Sequence, residues 1–192
     1  MTTAVANRRD HSGMLFATPG ITADRRADGT IWLKSTTPLQ PHARCVGDWL
    51  EHWARQTPER IFLGERPSAD AAWTTVTYRD ALRQVRSVAA WVLAQGLSAA
   101  RPLVILSDNS IDHALFALGA MHAGVPAAAI SPAYSLISRD FDKLKRMIGL
   151  LDPGAIYVSG IKAFAPALAA IKRLHTAVIV SGDTDSAEAI SF

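Results

Sequence analysis

The rhythm of hydrophobic and polar positions changes along the chain, and each rhythm predicts a different element. Residues 1–44 sustain no period; they hold two Arg pairs, several Pro and Gly, and two strand-like pieces at Met14–Ala17 and Thr30–Lys34. Helical spacing begins at Val46–Gln56, where Trp49, Leu50 and Trp53 are expected to share a face and Pro58 follows as a stop. Ile61–Glu65 and Trp73–Thr77 flank a polar, turn-prone Pro67–Asp70. Trp73, Thr75 and Thr77 alternate with Val76 and Tyr78 there, as in a half-buried antiparallel pair. Thr77-Tyr78-Arg79-Asp80 approximates a capping box. Tyr78, Leu82, Val85, Ala89 and Val92 then recur at helical spacing opposite Arg79, Arg83 and Arg86, up to Gly96.

From Pro102 the pattern becomes one of runs. Leu103–Leu106, Val125–Ile130, Ala155–Val158 and Ala177–Val180 are continuously apolar, as strands buried on both faces are. Helical segments separate them: Ser110–Ala123 with Asn109 as expected cap, Arg139–Leu151 with Phe141, Leu144, Ile148 and Leu151 inward, and Ala163–Arg173. Asp152-Pro153-Gly154 stops the second of these. This alternation predicts an α/β fold, a parallel sheet with flanking helices, preceded by a small antiparallel strand pair. The expected division is an irregular segment 1–44 and an α/β portion 45–192. Ligands of such sheets bind beyond the carboxyl ends of the strands. The loops of interest are therefore Ser107–Asn109, Ser131–Ser135, Ser159–Ile161 and Ser181–Asp185.

Composition narrows the function classes. The chain has 192 residues, 49% hydrophobic and 19% charged, enough to bury a core without staples. A formal net charge of +3, with no basic run denser than Lys143–Arg146, does not suggest a nucleic-acid partner. The five tryptophans do not interleave with basic residues as a stacking platform would. The longest apolar stretch, Ala114–Ile130, falls short of the roughly 20 residues of a spanning helix and contains Pro126, so no membrane span is expected. The apolar run after Arg8-Arg9 is too short for an export signal, and a single cysteine fits a reducing compartment; a cytoplasmic location is the expectation.

Candidate chemistry is sparse. The first buried strand leads into Ser107-Asp108-Asn109-Ser110, without the glycines of a dinucleotide site, and Gly154 to Lys162 does not match a P-loop. Ser110, Asp112 and His113 are the residue types of a nucleophilic triad, but triad members converge from separate elements. Capping by Asn109 and Asp112, with His113 on the helix surface, explains them more simply. None of the six histidines has metal-ligand spacing, and His122 reads as a core or boundary residue. Cys45 reads as structural, and Asp183 and Asp185 as a solvated turn. The residues alone define an α/β domain whose loop ends line a ligand site, with no catalytic residue and no metal site.

Several pieces resemble, in order and spacing, the N-terminal region of the acyl-adenylate-forming (AMP-binding) enzymes. They are Trp49–Ala54 with Pro58–Arg60, Trp73–Leu82, Leu106–Ser110, Ala117–Pro126 and Ser131–Ser135, the last standing where many members have "N-P-x-Y". Leu106–Ser110 and Ser131–Ser135 together look closest to feruloyl-CoA synthase-like aryl-CoA ligases. The resemblance covers about residues 38–182. It implies a two-step ligase using ATP, Mg²⁺ and coenzyme A on a carboxylate, an aromatic acid such as ferulate. It also implies that Ser131, Pro132, Ala133 and Tyr134 form a loop near the coenzyme A nucleotide. The family's Ser/Thr-Gly-rich phosphate loop, adenine motif, ribose aspartate and catalytic lysine have no counterpart among the 192 residues. Two readings follow: an N-terminal fragment of an aryl-CoA ligase, inactive without the C-terminal portion, or a stand-alone, non-catalytic nucleotide- or CoA-binding or interaction module of the same fold.

Overall fold

A computed structural model describes residues 20–181 and 190–191 of the chain. They fall into two units, Met1–His42 and Ala43–Phe192. In the first unit β1 (Ile21–Arg25) pairs antiparallel with β2 (Ile31–Ser35). Asp28 Oδ1 accepts the Thr30 N–H at 2.9 Å across the turn, and Gly29 supplies the left-handed residue at φ 84°. Thr30–Lys34 was legible as β2 to within a residue. β1 has too few apolar positions to announce itself. Met14–Ala17 lies outside the described residues.

The second unit begins with α1 (Val46–Gln56). Leu50 and Gly47 point inward, but Trp49 is 52% and Trp53 39% exposed, so the expected three-residue face reduces to Leu50. Trp53 instead lies beside Tyr78, which stacks on Phe62 at 4.6 Å. β3 (Ile61–Glu65) and β4 (Thr74–Thr77) form the expected antiparallel pair. Half of the expected capping box forms: Thr77 Oγ1 accepts the Asp80 N–H at 3.2 Å and opens α2 (Tyr78–Ala94), while the Asp80 carboxylate accepts from the Thr77 hydroxyl at 3.0 Å, where a full box would have it accept the Thr77 backbone N–H. Its exposed arginines are all paired: Arg79 with Glu59, Arg83 with Asp80, Arg86 with Glu51.

The main sheet is parallel. Its strands are β5 (Leu103–Leu106), β6 (Ala127–Ala129), β7 (Ala155–Val158), β8 (Val178–Ser181) and β9 (Ile190–Ser191), in spatial order β6-β5-β7-β8-β9. α3 (Ile111–His122) links β5 to β6, α4 (Ala133–Leu136) and α5 (Asp142–Leu151) link β6 to β7, and α6 (Ile161–Ile171) links β7 to β8. Alternate strand residues serve opposite layers. Leu103, Ile105, Ala155, Tyr157 and Val180 pack with Val88 and Val92 of α2 and Phe116 and Ala120 of α3. Val104, Leu106, Ile156 and Val158 pack with Leu144 and Ile148 of α5 and Phe164, Ala167 and Ile171 of α6.

Several boundaries differ from expectation, each for a local reason. β6 keeps only three residues of Val125–Ile130 and begins after Pro126, which has no N–H to give a ladder. Ala133–Leu136, which takes in the last three residues of the expected loop Ser131–Ser135, makes a helical turn on Pro132, whose ring presets φ. The helix expected at Arg139 starts at Asp142, because Phe141 adopts φ 56° and Ser138 Oγ accepts its N–H at 3.1 Å. Phe141 still packs on the α5–α6 layer.

α2 and α3 cross at Gly119. A Cβ there would lie 2.5 Å from Val88 Cβ, with Val85 O at 3.2 Å, so even a methyl group must force the helices apart. Gly119→Ala is expected to cost about 1–3 kcal/mol, the usual range for overpacking, measured as a shift in the urea midpoint. An unchanged midpoint would mean that the helices do not approach this closely.

Candidate functional site

The polar features of the second unit gather at the carboxyl ends of the strands. The chain leaves β5 for the α3 layer and β6 for the opposite layer of α4 and α5. The two exits diverge and leave a cleft of about 300 Å³, lined by Ser107, Asp108, Asn109, His113, Ala129, Ile130, Ser131 and Pro132. Two of the four loops read from sequence thus meet. Ser159–Ile161 does not line this cleft, and beyond Ser181 the fourth loop, with Asp183 and Asp185, is outside the described residues.

Ser107 closes β5 and is only 3% exposed. Its Oγ lies 2.8 Å from His113 Nδ1, and the Asp108 carbonyl oxygen lies 3.3 Å from the same nitrogen. Sequence reasoning grouped His113 with Ser110 and Asp112 and missed this pair. The available signal was a serine at a buried strand's end six residues before a histidine in the next helix's first turn. The expected Asn109 cap is also corrected. Ser110 is the N-cap, its Oγ accepting the His113 N–H at 3.0 Å, because α3 begins one residue later than the apolar period suggested.

Glu65, at the end of β3, reaches across to α3. Its Oε2 accepts the Ile111 N–H at 2.7 Å and satisfies one of the donors a helix start leaves open. Asp112 and Ser110 both interact with the Tyr157 hydroxyl of β7. Burial, then the neighbouring Asp112 charge, pushes the Tyr157 phenol far above its ordinary range, so it stays protonated. Desolvation, then the Glu65 carboxylate, raises the Asp112 carboxyl. Neither group is placed as a nucleophile.

Of the residues singled out beside the cleft, Ser131 and Pro132 line it, while Tyr134 packs partly against the α5–α6 layer with Lys143 Nζ 5.1 Å from its ring centre. Ser135 is buried, and its Oγ has no hydrogen-bond partner among the described residues. His122 sits at the boundary, 3.9 Å from Glu51. Cys45 is exposed and precedes α1. Among the described residues no group of three or more His, Cys, Asp or Glu could hold a metal ion, and no helix is long and apolar enough to cross a membrane.

An open parallel sheet with a polar cleft beyond its strand ends is the architecture of a small-molecule-binding α/β domain. The family model of the AMP-binding enzymes matches residues 50–190, and the chain belongs to that family. A search of curated protein sequences gives no match. Among solved structures, a protein assigned as a long-chain-fatty-acid CoA ligase from Rhodopseudomonas palustris superposes with a TM-score of 0.66 at 14% identity, over 78% of this chain and 35% of that one. The fatty acyl-adenylate ligase of L. pneumophila, solved with acyl adenylate and pyrophosphate, gives 0.61 at 18% identity, over 76% and 24%. The luciferase-like enzyme of Zophobas morio gives 0.61 at 17% identity, over 80% and 35%. The fold is that of the N-terminal domain of AMP-binding ligases. The chain spans 20–35% of the length of such matched structures.

The Asp112 shift has a consequence for stability. A carboxyl whose folded pKa is raised binds more protons in the folded state, so stability falls as pH rises through the raised value. Asp112→Asn should therefore match or exceed the parent chain's melting temperature at neutral pH, and the difference should shrink on acidification. Thermal melts of both chains across the acidic range check this; a variant that is less stable at neutral pH would contradict it.

Proposed function

We propose that this chain is the N-terminal part of an ATP-dependent acid–CoA ligase acting on an aromatic acid such as ferulate, in the cytoplasm. The observation that carries the reading is the family match over residues 50–190, on a sheet whose strand ends open into a polar cleft. The feruloyl-type assignment rests on Leu106–Ser110 and Ser131–Ser135, both of which contribute to that cleft. In such a ligase the carboxylate attacks the α-phosphate of ATP and expels pyrophosphate, and the coenzyme A thiol then attacks the acyl carbon of the resulting adenylate and displaces AMP.

The residues present do not fit ATP or Mg²⁺. No lysine or arginine lines the cleft, and the described residues offer no metal-ligand group. A triphosphate's charge finds nothing here to offset it, so we derive no step of the adenylation from this chain, and we propose that it is inactive alone. A part of coenzyme A fits better. Ser131 and Pro132 line the cleft, and we assign Ser131, Pro132, Ala133 and Tyr134 together as the CoA-proximal loop.

A second surface supports a fragment over a self-standing module. Ile161, Ala165, Leu168 and Ala169 of α6 and Ile179 of β8 line an apolar groove of about 240 Å³. Burial, as first cause, lowers the pKa of His175 at its edge. In the intact ligase, we propose, the C-terminal portion covers this groove.

Pyrophosphate exchange with ATP and ferulate tests the reading. The purified chain should show no exchange above background, and clear turnover would sink the inactive-fragment reading. It should also self-associate in sedimentation and bind an apolar dye, and Leu168→Glu should reduce both. A well-behaved monomer that binds coenzyme A without turnover would favour the stand-alone module.

A further inference from the structure

The cleft's polar atoms restrict what can bind there. His113 Nδ1 faces two oxygens, Ser107 Oγ at 2.8 Å and the Asp108 carbonyl at 3.3 Å. A carbonyl oxygen can only accept, so the contact is favourable when Nδ1 carries the hydrogen. Ser107 Oγ then accepts from the same N–H. In the neutral ring this leaves a lone pair on Nε2, because the bond made by one ring nitrogen sets the role of the other. Ser107 is almost wholly buried at the end of a strand paired on both sides, so it is a fixed post rather than a mobile surface hydroxyl.

We propose that the cleft between the ends of β5 and β6 takes an uncharged ligand group bearing N–H or O–H donors, accepted by His113 Nε2, with Ser107 as the positioning residue that holds the ring. The charges agree. Asp108 lines the cleft, Asp112 and Glu65 flank the first turn of α3, and no cationic side chain lines the space. An anion would find the Asn109 amide and the serine hydroxyls as neutral donors, but an acidic Asp108 and no counter-charge. This deepens the CoA-proximal reading and rests on it for the ligand's origin. Within coenzyme A, the pantetheine amides and the adenine amine carry such donors, whereas the phosphates do not.

The test uses the full chain with ¹⁵N-labelled histidine, at mildly alkaline pH. Long-range ¹H–¹⁵N spectra report which ring nitrogen carries the proton, and His113→Gln identifies the signals by their loss. The expected result is the Nδ1–H form. Pantetheine or adenosine should shift the Nε2 signal, the more effective of the two naming the part recognised, while inorganic phosphate and pyrophosphate leave it in place. Ser107→Ala should weaken that response severalfold and mix the two ring forms; Ser107→Thr, which keeps the hydroxyl, should restore both. An Nε2–H ring in the free chain, a response to phosphate, or no response to either donor probe overturns the inference. Coenzyme A itself leaving the loop 131–134 unperturbed would instead sink the CoA-proximal reading, while the ring form still decides the chemistry of the cleft.

Discussion

The structure depends on burying β5. All four of its residues are fully buried, and it pairs with β6 on one side and β7 on the other. A strand in that position must have a packed layer on each face, since each exposed apolar face would forfeit about 25 cal/mol per Å² of the burial that opposes chain entropy. α2 and α3 supply one layer, α5 and α6 the other. The close approach at Gly119 and the stack of Tyr157 on Phe116, with centroids 4.4 Å apart, complete the first layer. The cleft is a by-product of this demand. If both layers must be filled by connections from neighbouring strands, the exits from β5 and β6 must turn to opposite sides.

The same demand organises the polar groups. The start of α3 lies against the buried strand ends, where open N–H groups cannot all reach water. Glu65 takes the Ile111 N–H and Ser110 takes that of His113. Removing Glu65 would leave a half-buried donor unmatched, typically a loss of about 1–3 kcal/mol. The contact also ties the β3–β4 hairpin to α3. Burial first, and then the carboxylate that this contact brings near, holds the Asp112 proton more tightly.

Strand runs and helix periods were legible because burial on two faces, or on one stripe, leaves a direct trace in residue order. Leu103–Leu106 and Ala155–Val158 coincide with their strands, and Thr77 announced its helix through local capping chemistry. The misses share a cause: each depends on partners distant in sequence or on a local backbone choice. Trp49 is apolar yet exposed, because Leu50 already fills the contact of α1 with α2 and α3. Phe141 sits outside its helix in a left-handed conformation that no periodicity encodes. Glu65 lies 46 residues from the helix it caps. The Ser107–His113 pair is closer in sequence, but it exists only because a strand end and a helix start are brought together.

The character of the cleft separates two contributions that a ligase of this kind needs. Stabilising a transferring phosphoryl group calls for cations or aligned N–H donors aimed at the developing charge. Here the nearest helix start has already given the N–H groups of Ile111 and His113 to Glu65 and Ser110, and the cleft wall presents Asp108. What remains is orientation: a buried serine and the ring hydrogen-bonded to it. Positioning a bound group is a real catalytic resource, since holding reactants in place removes entropy from the barrier. It does nothing without the charged machinery to act on the reacting atoms. On the far side of the sheet, α6 and β8 present a largely apolar groove. A cleft that offers position but not charge, beside an apolar flank, accords with the proposal that this domain works together with the rest of an intact ligase.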